Sequence, residues 1–224
     1  AYRQAHRVSP EEAAREVRYQ FLEEVARKRG YNRIALGHHQ NDDAELVLMR
    51  ILRGSGPLGL TGIPPKRLLN GESVVIIRPL IRTSRAEILS FLERRHITAV
   101  EDESNRDVRF LRNRIRHRLL PLLESEYNPS IAAGLSRMAH LMRDEEEWLD
   151  SMATDALQSL TLADHGSFLI LDRKGLAACP VALQRRLLRT AVRRCKGDLR
   201  RMGFTAMEAA RRFAAEGAAR GECN

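Results

Sequence analysis

The feature that most constrains this chain is a short apolar segment that runs directly into histidines and acids. Ile34-Ala35-Leu36 has the composition of a buried β-strand, and it ends at Gly37. His38, Asp42 and Glu45 follow at positions i, i+4 and i+7, so they share one face if a helix begins at once. Because ligands bind beyond the carboxyl ends of strands in doubly wound α/β folds, this spacing predicts a site for binding or chemistry.

The residue types at this predicted site leave three interpretations open. Asp42 and Glu45 carry the hard oxygen ligands that Mg²⁺ prefers, and Mg²⁺ commonly bridges substrate phosphates. His38 or His39 would suit zinc, although the HExxH spacing is absent. The simplest interpretation is a helix start, at which Asn41 or Asp42 caps the first turn and the acids complement the helix dipole.

A glycine-rich segment follows the helix predicted over residues 44–52. The apolar residues of that helix are expected to face a core: Leu46, Val47, Leu48, Ile51 and Leu52. Arg53-Gly54-Ser55-Gly56 opens the segment, and Gly54 stands where a helix-ending glycine belongs. Glycine lets the backbone approach a ligand closely, but the segment matches neither a P-loop nor a dinucleotide fingerprint. A mobile surface loop is the alternative.

Helices and strands alternate around this site. Ser9-Pro10-Glu11-Glu12 has the capping signature of a helix start, and Gly30 ends the helix. The buried stripe predicted for this helix consists of Ala14, Val17, Phe21, Leu22 and Val25. Val74-Val75-Ile76-Ile77 predicts a second buried strand, and Ser84-Arg85-Ala86-Glu87 predicts a capping box that opens the next helix. This order predicts an α/β fold with a partial, doubly wound parallel sheet.

Six arginines lie within thirteen residues after an acidic segment at 99–107. They are Arg106, Arg109, Arg112, Arg114, Arg116 and Arg118. The guanidinium fork matches phosphate oxygens, so the run predicts contact with a nucleic-acid backbone or a nucleotide phosphate. Salt bridges to the preceding acids are the alternative.

The character of the chain changes near Asn128-Pro129, and we place a domain boundary at residues 122–129. This gives an α/β domain over 1–124 and a mainly α-helical domain over 125–224, interrupted by one short predicted strand at 168–171. A second basic region contains Arg185, Arg186, Arg189, Arg193, Arg194, Lys196, Arg200 and Arg201. Asp198 alone opposes these charges within the interval, so the region predicts RNA contact, with a solvated helical face as the alternative.

Composition limits the classes of function. The net charge of +9 points to a polyanionic partner, with nucleic acid favoured over a membrane. No apolar run is long enough to cross a bilayer, and no signal peptide is evident, so no membrane association is expected. The three cysteines are too widely spaced for a disulfide framework or a CxxC site, which fits a reducing cytoplasm. The sequence is compatible with a homodimer and leaves the oligomeric state open.

Several spaced motifs together resemble one family. In chain order they are Gly37-His38-His39 with Asp42 and Glu45, Arg53-Gly54-Ser55-Gly56, Gly59-Leu60 with Gly62-Ile63-Pro64, Arg78-Pro79-Leu80, Glu101-Asp102 with Ser104-Asn105, and Phe110-x-Arg112-Asn113 with Ile115-Arg116-His117. With these motifs the chain resembles the tRNA(Ile)-lysidine synthetases, which are N-type ATP pyrophosphatases. The resemblance is strong over residues 9–124 and weaker to about residue 217.

The resemblance implies a fold and a reaction. The fold is an adenine nucleotide alpha hydrolase-like domain followed by a helical, tRNA-contacting domain. The reaction uses ATP and Mg²⁺ to adenylate the C2 oxygen of the wobble cytidine in tRNA(Ile), after which free L-lysine attacks C2 to give lysidine.

The resemblance also implies roles for particular residues. His38, Asp42 and Glu45 are assigned as catalytic, with Asp42 and Glu45 handling Mg²⁺ or the lysine amine and His38 shaping the nucleotide site. The residues assigned to ATP or substrate binding are Arg53, Gly54, Ser55, Gly56, Asp102, Ser104 and Asn105. Those assigned to tRNA or phosphate contact are Arg109, Arg112, Asn113 and Arg116. Arg185, Arg189 and Arg193 are assigned to the same role from the one-sided charge of the second basic region.

Two departures from the family pattern qualify this interpretation. The Ser-Gly-Gly-x-Asp-Ser pyrophosphate loop and the carboxy-terminal lobe of the family are missing, so we expect a fragment of a longer protein that is inactive alone. Asp43 also stands where the family more often has glutamine. A tRNA cytidine 2-thiolation enzyme is one alternative, but it would rely on paired cysteines. A non-catalytic, basic RNA-binding module is the other.

Overall fold

The computed structural model describes residues 10–69, 74–100, 107–199 and 202–216. Its elements in chain order are helix α1 (Pro10–Lys28), strand β1 (Arg33–Ala35), α2 (Gln40–Leu52), a 3-10 turn (Pro57–Leu60), β2 (Lys66–Leu68), β3 (Val75–Ile77), α3 (Arg85–Arg94), α4 (Leu111–Arg114), a π-helical segment (Ile115–Leu119), α5 (Leu120–Glu126), α6 (Ile131–Leu160), β4 (Thr161–Asp164), β5 (Leu169–Leu171), α7 (Arg173–Ala178), α8 (Val181–Lys196) and α9 (Phe204–Glu216).

The chain forms two compact units, Ala1–Arg143 and Asp144–Asn224, and the division falls within α6. The boundary expected at 122–129 stays a prediction. Among the described residues, no helix has the length and apolar character needed to span a membrane.

The first unit contains a three-stranded mixed sheet in the order β1-β3-β2. β1 and β3 are parallel, with Ile34 opposite Ile76, as expected of strands joined by a crossover connection. β2, which the sequence analysis did not predict, pairs antiparallel with β3 and forms an edge. The α/β class and the parallel strand pair are therefore confirmed, with one antiparallel edge strand added.

The buried face of α1 differs from the predicted stripe. Val17, Phe21 and Val25 are exposed, whereas Tyr19 and Ala26 pack against the sheet core around Ile34 and Ile76. Ala14 is exposed as well, and of the predicted stripe only Leu22 is partly buried against this core. The apolar spacing predicted the helix but the wrong buried face, because the sheet covers the neighbouring face, where the Tyr19 ring supplies the large apolar surface.

A second core joins α2 to the helices that follow the arginine run. Its buried residues are Ala44, Val47, Leu48, Ile115, Leu120, Ala132, Leu135 and Ala139. Leu46 is half-buried, whereas Ile51 and Leu52, predicted to face a core, are exposed because the last turn of α2 extends beyond this cluster. This packing holds the first turn of α2 close to the arginine-bearing helix.

The second unit is mainly helical, as predicted. Leu157, Leu176, Leu187 and Ala191 form its core, which joins α6, α7 and α8. The predicted strand near Phe168 is present as β5, and it pairs antiparallel with β4 rather than standing alone.

Candidate active site

The site is built where β1 ends and α2 begins. His39 is the N-cap residue of α2, with an extended backbone at φ −127° and ψ 179°. The Asp42 carboxylate accepts a hydrogen bond of 2.9 Å from the His39 backbone N–H, which satisfies one of the amides left open at a helix start. The N-cap is therefore His39 rather than Asn41 or Asp42, and Asp42 contributes as the N3 residue of a capping box. This role accounts for only one oxygen of the Asp42 carboxylate.

Two arginines from later in the chain bind Asp42 and Glu45. Arg112 donates from Nη2 to Asp42 Oδ1 at 2.7 Å and from Nε to Glu45 Oε2 at 2.8 Å. Arg116 donates to Asp42 Oδ1 at 2.9 Å and to Glu45 Oε1 and Oε2 at 2.6 and 3.0 Å. The Glu45 side chain is 1% exposed, so a buried cluster of two carboxylates and two guanidinium groups results. We call these four residues the charge cluster.

The helix geometry explains how both arginines reach the same acids. Arg112 and Arg116 are four residues apart, so their side chains project from one helical face. The π-helical segment begins between them at Ile115, whose side chain is buried in the core. A single π turn inside an α-helix is a rare feature that occurs often at functional sites.

Arg109 and Asn113 lie outside the charge cluster. Arg109 is 88% exposed and pairs with Asp107 at 2.7 Å. Asn113 is buried and donates from its side-chain amide to the backbone carbonyl of Asp107 at 2.9 Å. Of the four residues predicted from this run for tRNA or phosphate contact, two therefore meet the catalytic candidates and two organise the start of the helix.

His38 is held by an arginine that the sequence analysis did not assign to the site. Arg78 directly follows β3, is 3% exposed and donates from Nε to His38 Nδ1 at 3.3 Å. Burial lowers the pKa of His38 to about 4. The neighbouring arginine charges act in the same direction, and the Asp42 charge, which acts to raise the pKa, is outweighed. His38 is therefore neutral at pH 7, and with Nδ1 acting as acceptor it carries its proton on Nε2. Arg78 directly follows the second predicted strand, and this position in the sequence could have indicated that it lies at the site.

The segment Arg53-Gly54-Ser55-Gly56 is at the opposite end of α2. Gly54 has φ +68° and ends the helix, as predicted. With a rise of 1.5 Å per residue, Arg53 lies about 16 Å along the helix from Asp42. The structure does not bring these residues to the charge cluster, and their assignment to ATP or substrate binding stays a prediction. Asp102, Ser104 and Asn105 lie outside the described residues.

The later part of the glycine-rich loop returns to the site through Asp43. This fully buried carboxylate accepts from the Ile63 backbone N–H at 2.6 Å and from the Ser136 hydroxyl at 3.0 Å. Arg143 donates to the carbonyls of Thr61 and Ile63, which hold the other side of the same turn. Burial raises the pKa of Asp43, and these hydrogen bonds and the Arg143 charge oppose the rise.

Gly62 lies in the same turn. We call the set of contacts among Asp43, Gly62, Ile63, Ser136 and Arg143 the loop clamp. The φ of Gly62 is +65°, and a Cβ atom at this position would lie 2.2 Å from Asp43 Oδ1. The sequence did not predict the loop clamp, because Asp43 resembles any other acidic residue at the N-terminus of a helix.

More arginines of the basic helix α8 form ion pairs than the local sequence suggested. Arg185 pairs with Glu208 at 2.8 Å and Arg186 with Glu146 at 2.6 Å, so acids from α6 and α9 meet charges that Asp198 alone opposed locally. Arg193 is exposed and Arg189 half-buried, and neither takes part in an ion pair with a described residue.

As arranged, Asp42 and Glu45 do not fit a directly bound Mg²⁺ ion. All four of their oxygens already accept hydrogen bonds from N–H groups of His39, Arg112 or Arg116. Two guanidinium charges at this distance oppose a divalent cation. Within the ranges that the structure describes, no group of three or more histidine, cysteine or acidic side chains is arranged to hold a metal.

Comparison with known proteins finds relatives that share one name and a matching family model. The tRNA(Ile)-lysidine synthase of Geobacter sulfurreducens is 40% identical over 203 residues, covering 91% of this chain and 42% of that protein. The proteins of the same name from Solibacter usitatus and Gloeobacter violaceus are 41% and 40% identical, covering 88% and 80% of this chain. The chain spans 44% and 53% of those two relatives. A model of the ATP-using PP-loop domain matches residues 2–123, and the chain therefore belongs to the PP-loop domain family.

Proposed function

We propose that this protein is a cytoplasmic tRNA(Ile)-lysidine synthase, which uses ATP to join free L-lysine to C2 of the wobble cytidine of tRNA(Ile). The observation that carries the proposal is the charge cluster, which joins the His38-Asp42-Glu45 motif to Arg112 and Arg116 from a distant part of the sequence. The similarity to relatives that bear this name supports it.

The reaction proceeds in two steps. The cytidine C2 oxygen attacks the α-phosphorus of ATP, forming a C2–O–P linkage as pyrophosphate departs. The ε-amine of lysine then attacks C2, the C2–O bond breaks, and AMP leaves as the amine gives up a proton. Adenylation makes C2 reactive by converting its oxygen into a leaving group, and deprotonation makes the lysine amine nucleophilic.

The charge cluster matches lysine in chemical character. Free lysine has one carboxylate and two amino groups, and the cluster offers two guanidinium groups and two carboxylates. A lysine ammonium that approaches Asp42 or Glu45 would replace one charge-assisted hydrogen bond with another, so the acids stay paired. The acid that holds the ε-ammonium is then positioned to accept its proton, and the displaced guanidinium can meet the lysine carboxylate or the AMP phosphate.

We assign His38 to binding rather than to proton transfer. With a pKa of about 4 it is a poor base at neutral pH, whereas its Nε2–H group is an available donor. A neutral donor beside the charge cluster suits a carbonyl oxygen of the cytosine or an oxygen of the nucleotide.

Several assignments rest on the family resemblance alone. ATP or substrate binding is proposed for Arg53 to Gly56 and for Asp102, Ser104 and Asn105. Mg²⁺ is proposed to arrive with the ATP phosphates, since Asp42 and Glu45 do not fit it. tRNA or phosphate contact is proposed from the resemblance for Arg109, Arg112, Asn113 and Arg116. For Arg185, Arg189 and Arg193 it is proposed from the charge of the second basic region. A homodimer also stays a proposal.

The test is AMP release from ATP in the presence of Mg²⁺, lysine and a tRNA(Ile) transcript with a wobble cytidine, using the complete gene product. Asp42→Asn should lower the rate by about a hundredfold or more, because it removes a charged partner of the reacting groups. Asp172→Asn is the matched control, since the Asp172 side chain also accepts backbone hydrogen bonds at a helix start, that of α7, and Asp172 belongs to the second unit.

The outcomes separate the proposed function from its alternatives. AMP release that depends on both lysine and the cytidine, and that is lost only in Asp42→Asn, supports the ligase. Tight tRNA binding without AMP release would contradict the enzyme and favour a binding module. Cys179, Cys195 and Cys223 are too far apart in the sequence for CxxC spacing, which disfavours a thiolation reaction that relies on paired cysteines.

A further inference from the structure

Arg78 is a buried guanidinium group whose described partners are all neutral. It is 3% exposed, donates from Nη1 to the Pro64 carbonyl at 2.6 Å and from Nε to His38 Nδ1 at 3.3 Å, and interacts electrostatically with the Tyr19 side chain. A buried charge is normally paired with an opposite charge, because removing it from water is costly. No described carboxylate contacts Arg78, in contrast to Arg112 and Arg116.

Two further arginines converge on the same tyrosine. The guanidinium carbons of Arg15 and Arg67 lie 5.2 and 5.3 Å from the centre of the Tyr19 ring, and Arg15 Nη2 is 3.5 Å from the hydroxyl. Burial acts to raise the pKa of Tyr19, but the three arginines outweigh it and the pKa is lowered. The pKa of Arg78 is lowered by burial and by the charges of Arg67 and Arg15, although Tyr19 opposes this.

The elements of the first unit hold these groups in place. Arg67 is on β2, opposite Ile76 of β3, and Arg78 directly follows β3. The Tyr19 ring is anchored in the core that contains Ile76. The donors are therefore fixed by a sheet and a packed ring before any ligand binds, which favours binding because little ordering remains.

We propose that Arg67, Arg78 and the Tyr19 hydroxyl form a binding site for a phosphate group. Guanidinium forks match phosphate oxygens, and the phenol hydroxyl supplies a further donor. A bound phosphate would compensate the buried charge of Arg78, and Arg67 is exposed, which leaves the site accessible from that side. The phosphate comes from a nucleotide or from an RNA backbone, and both present the same oxygens.

The site is separate from the charge cluster and adjoins it through His38, which Arg78 contacts directly. Phosphate binding here would place a charged group of the ligand beside His38 without drawing on Arg112 or Arg116. The proposal concerns binding alone, so it can fail while the ligase reaction stands, and the reverse also holds.

The test is calorimetric titration of the 224-residue chain with inorganic pyrophosphate at low salt. Arg67→Gln should weaken binding by about tenfold or more, which is the loss expected for a hydrogen bond between charged groups. Tyr19→Phe should weaken it by about threefold to tenfold, as expected for a hydrogen bond from a neutral hydroxyl. Arg95→Gln is the matched control, because Arg95 also stacks on an aromatic ring, Phe91, and the substitution removes the same charge.

The outcomes are distinguishable without a variant at the buried Arg78. Weaker binding in Arg67→Gln and Tyr19→Phe, with Arg95→Gln unchanged, is the expected result. Equal weakening in Arg67→Gln and Arg95→Gln would show general attraction to a basic chain and overturn the proposal, as would an absence of binding at millimolar pyrophosphate. Competition by an RNA hexamer without terminal phosphates would identify the backbone as the source, and competition by ATP alone would identify the nucleotide.

Discussion

Two neighbouring acids at the start of α2, Asp42 and Asp43, are both buried and are stabilised in different ways. Asp42 is 7% exposed and accepts hydrogen bonds from two guanidinium groups in the charge cluster. Asp43 is fully buried, and it accepts from the Ile63 amide and the Ser136 hydroxyl in the loop clamp. The first carboxylate has partners that a charged ligand can replace, whereas the second fixes the path of a loop.

The comparison shows that the partner of a buried acid, rather than its burial, indicates its role. In the charge cluster, a substitution should act by leaving a charge without its partner. In the loop clamp, a substitution should act by breaking the contacts that hold the loop against α2 and α6. The two regions should therefore respond differently to removal of a charge, to added volume and to pH.

The largest effect is expected for Arg116→Met, which removes the hydrogen bonds that Arg116 donates to Asp42 and Glu45. Removing one partner of a buried ion pair costs about 3–5 kcal/mol, because the remaining charge is uncompensated. The free energy of unfolding, measured by urea denaturation, should fall by this order. Arg109→Met is the control, since it breaks an exposed pair with Asp107 and should leave the urea midpoint unchanged.

Adding Glu45→Gln to Arg116→Met sharpens this result. If the loss comes from an uncompensated charge, neutralising Glu45 should restore part of the stability, so the two substitutions should not be additive. Additive losses would show that Arg116 acts by packing alone, and the distinction between the two regions would fail.

A smaller loss is expected for Gly62→Ala in the loop clamp. The backbone at Gly62 has φ +65°, and the new methyl group would meet Asp43 Oδ1. Gly30→Ala is the matched control, because Gly30 has φ +69° and a Cβ atom added there would have nothing within 4 Å. Gly30→Ala should cost about 1–2 kcal/mol from the left-handed backbone alone. Gly62→Ala should cost a further 1–3 kcal/mol, roughly, by disrupting the hydrogen bond to Ile63.

Equal losses at the two glycines would mean that the loop moves aside without cost. The loop clamp would then have no hold on the segment from Thr61 to Ile63, and Asp43 would differ from Asp42 only in its neighbours.

The two regions also differ in how far the sequence predicted them. The sequence placed His38, Asp42 and Glu45 after the end of a strand. Asp42 and Glu45 lie on α2, whereas His38 precedes the N-cap residue His39 and is not on the helical face that the spacing predicted. Arg112 and Arg116 were proposed to contact phosphate or tRNA, and no pattern in the sequence indicated that they bind Asp42 and Glu45. Their partners lie about seventy residues away, so tertiary packing decides the contact.

The loop clamp and the role of Arg78 at the site were not predicted at all. Asp43 is one of several acids at a helix start, and its partners come from a loop and from α6. The buried face of α1 was wrong for a related reason: periodicity marks apolar positions, but the position of the sheet decides which of them it covers, and Tyr19 was not counted among the buried positions.

Asp43→Asn tests the loop clamp through its pH dependence. The raised pKa means that the folded chain takes up a proton at Asp43 at a higher pH than the unfolded chain, whose value is near 3.8. The stability of the natural protein relative to the Asn variant should therefore rise as the pH falls from the raised pKa towards 3.8. At neutral pH the variant should lose about 1 kcal/mol, since an amide cannot accept both hydrogen bonds. Urea denaturation at several pH values measures the difference, and a constant difference would contradict the expectation.

At His38 the expected pH dependence has the opposite sign to that at Asp43. Burial holds the folded pKa at about 4, below the ordinary value of 6.5, so only the unfolded chain takes up a proton between these values. His38 should therefore contribute fully to stability above pH 6.5, and this contribution should decline as the pH falls towards 4. His38→Gln, which does not titrate, should lack that decline.

Burial sets the direction of this effect, and the charged groups that face His38 modify its size. Asp42 favours the protonated ring, whereas Arg78, Arg112 and Arg15 disfavour it. Nitrogen chemical shifts of the imidazole ring measure its protonation directly, and they should stay constant from about pH 8 to about 5.5, because a group with a pKa near 4 is neutral throughout that range. A midpoint near 6.5 would show that His38 is not held neutral by burial and Arg78, and it would return His38 to the candidates for the base that activates the lysine amine.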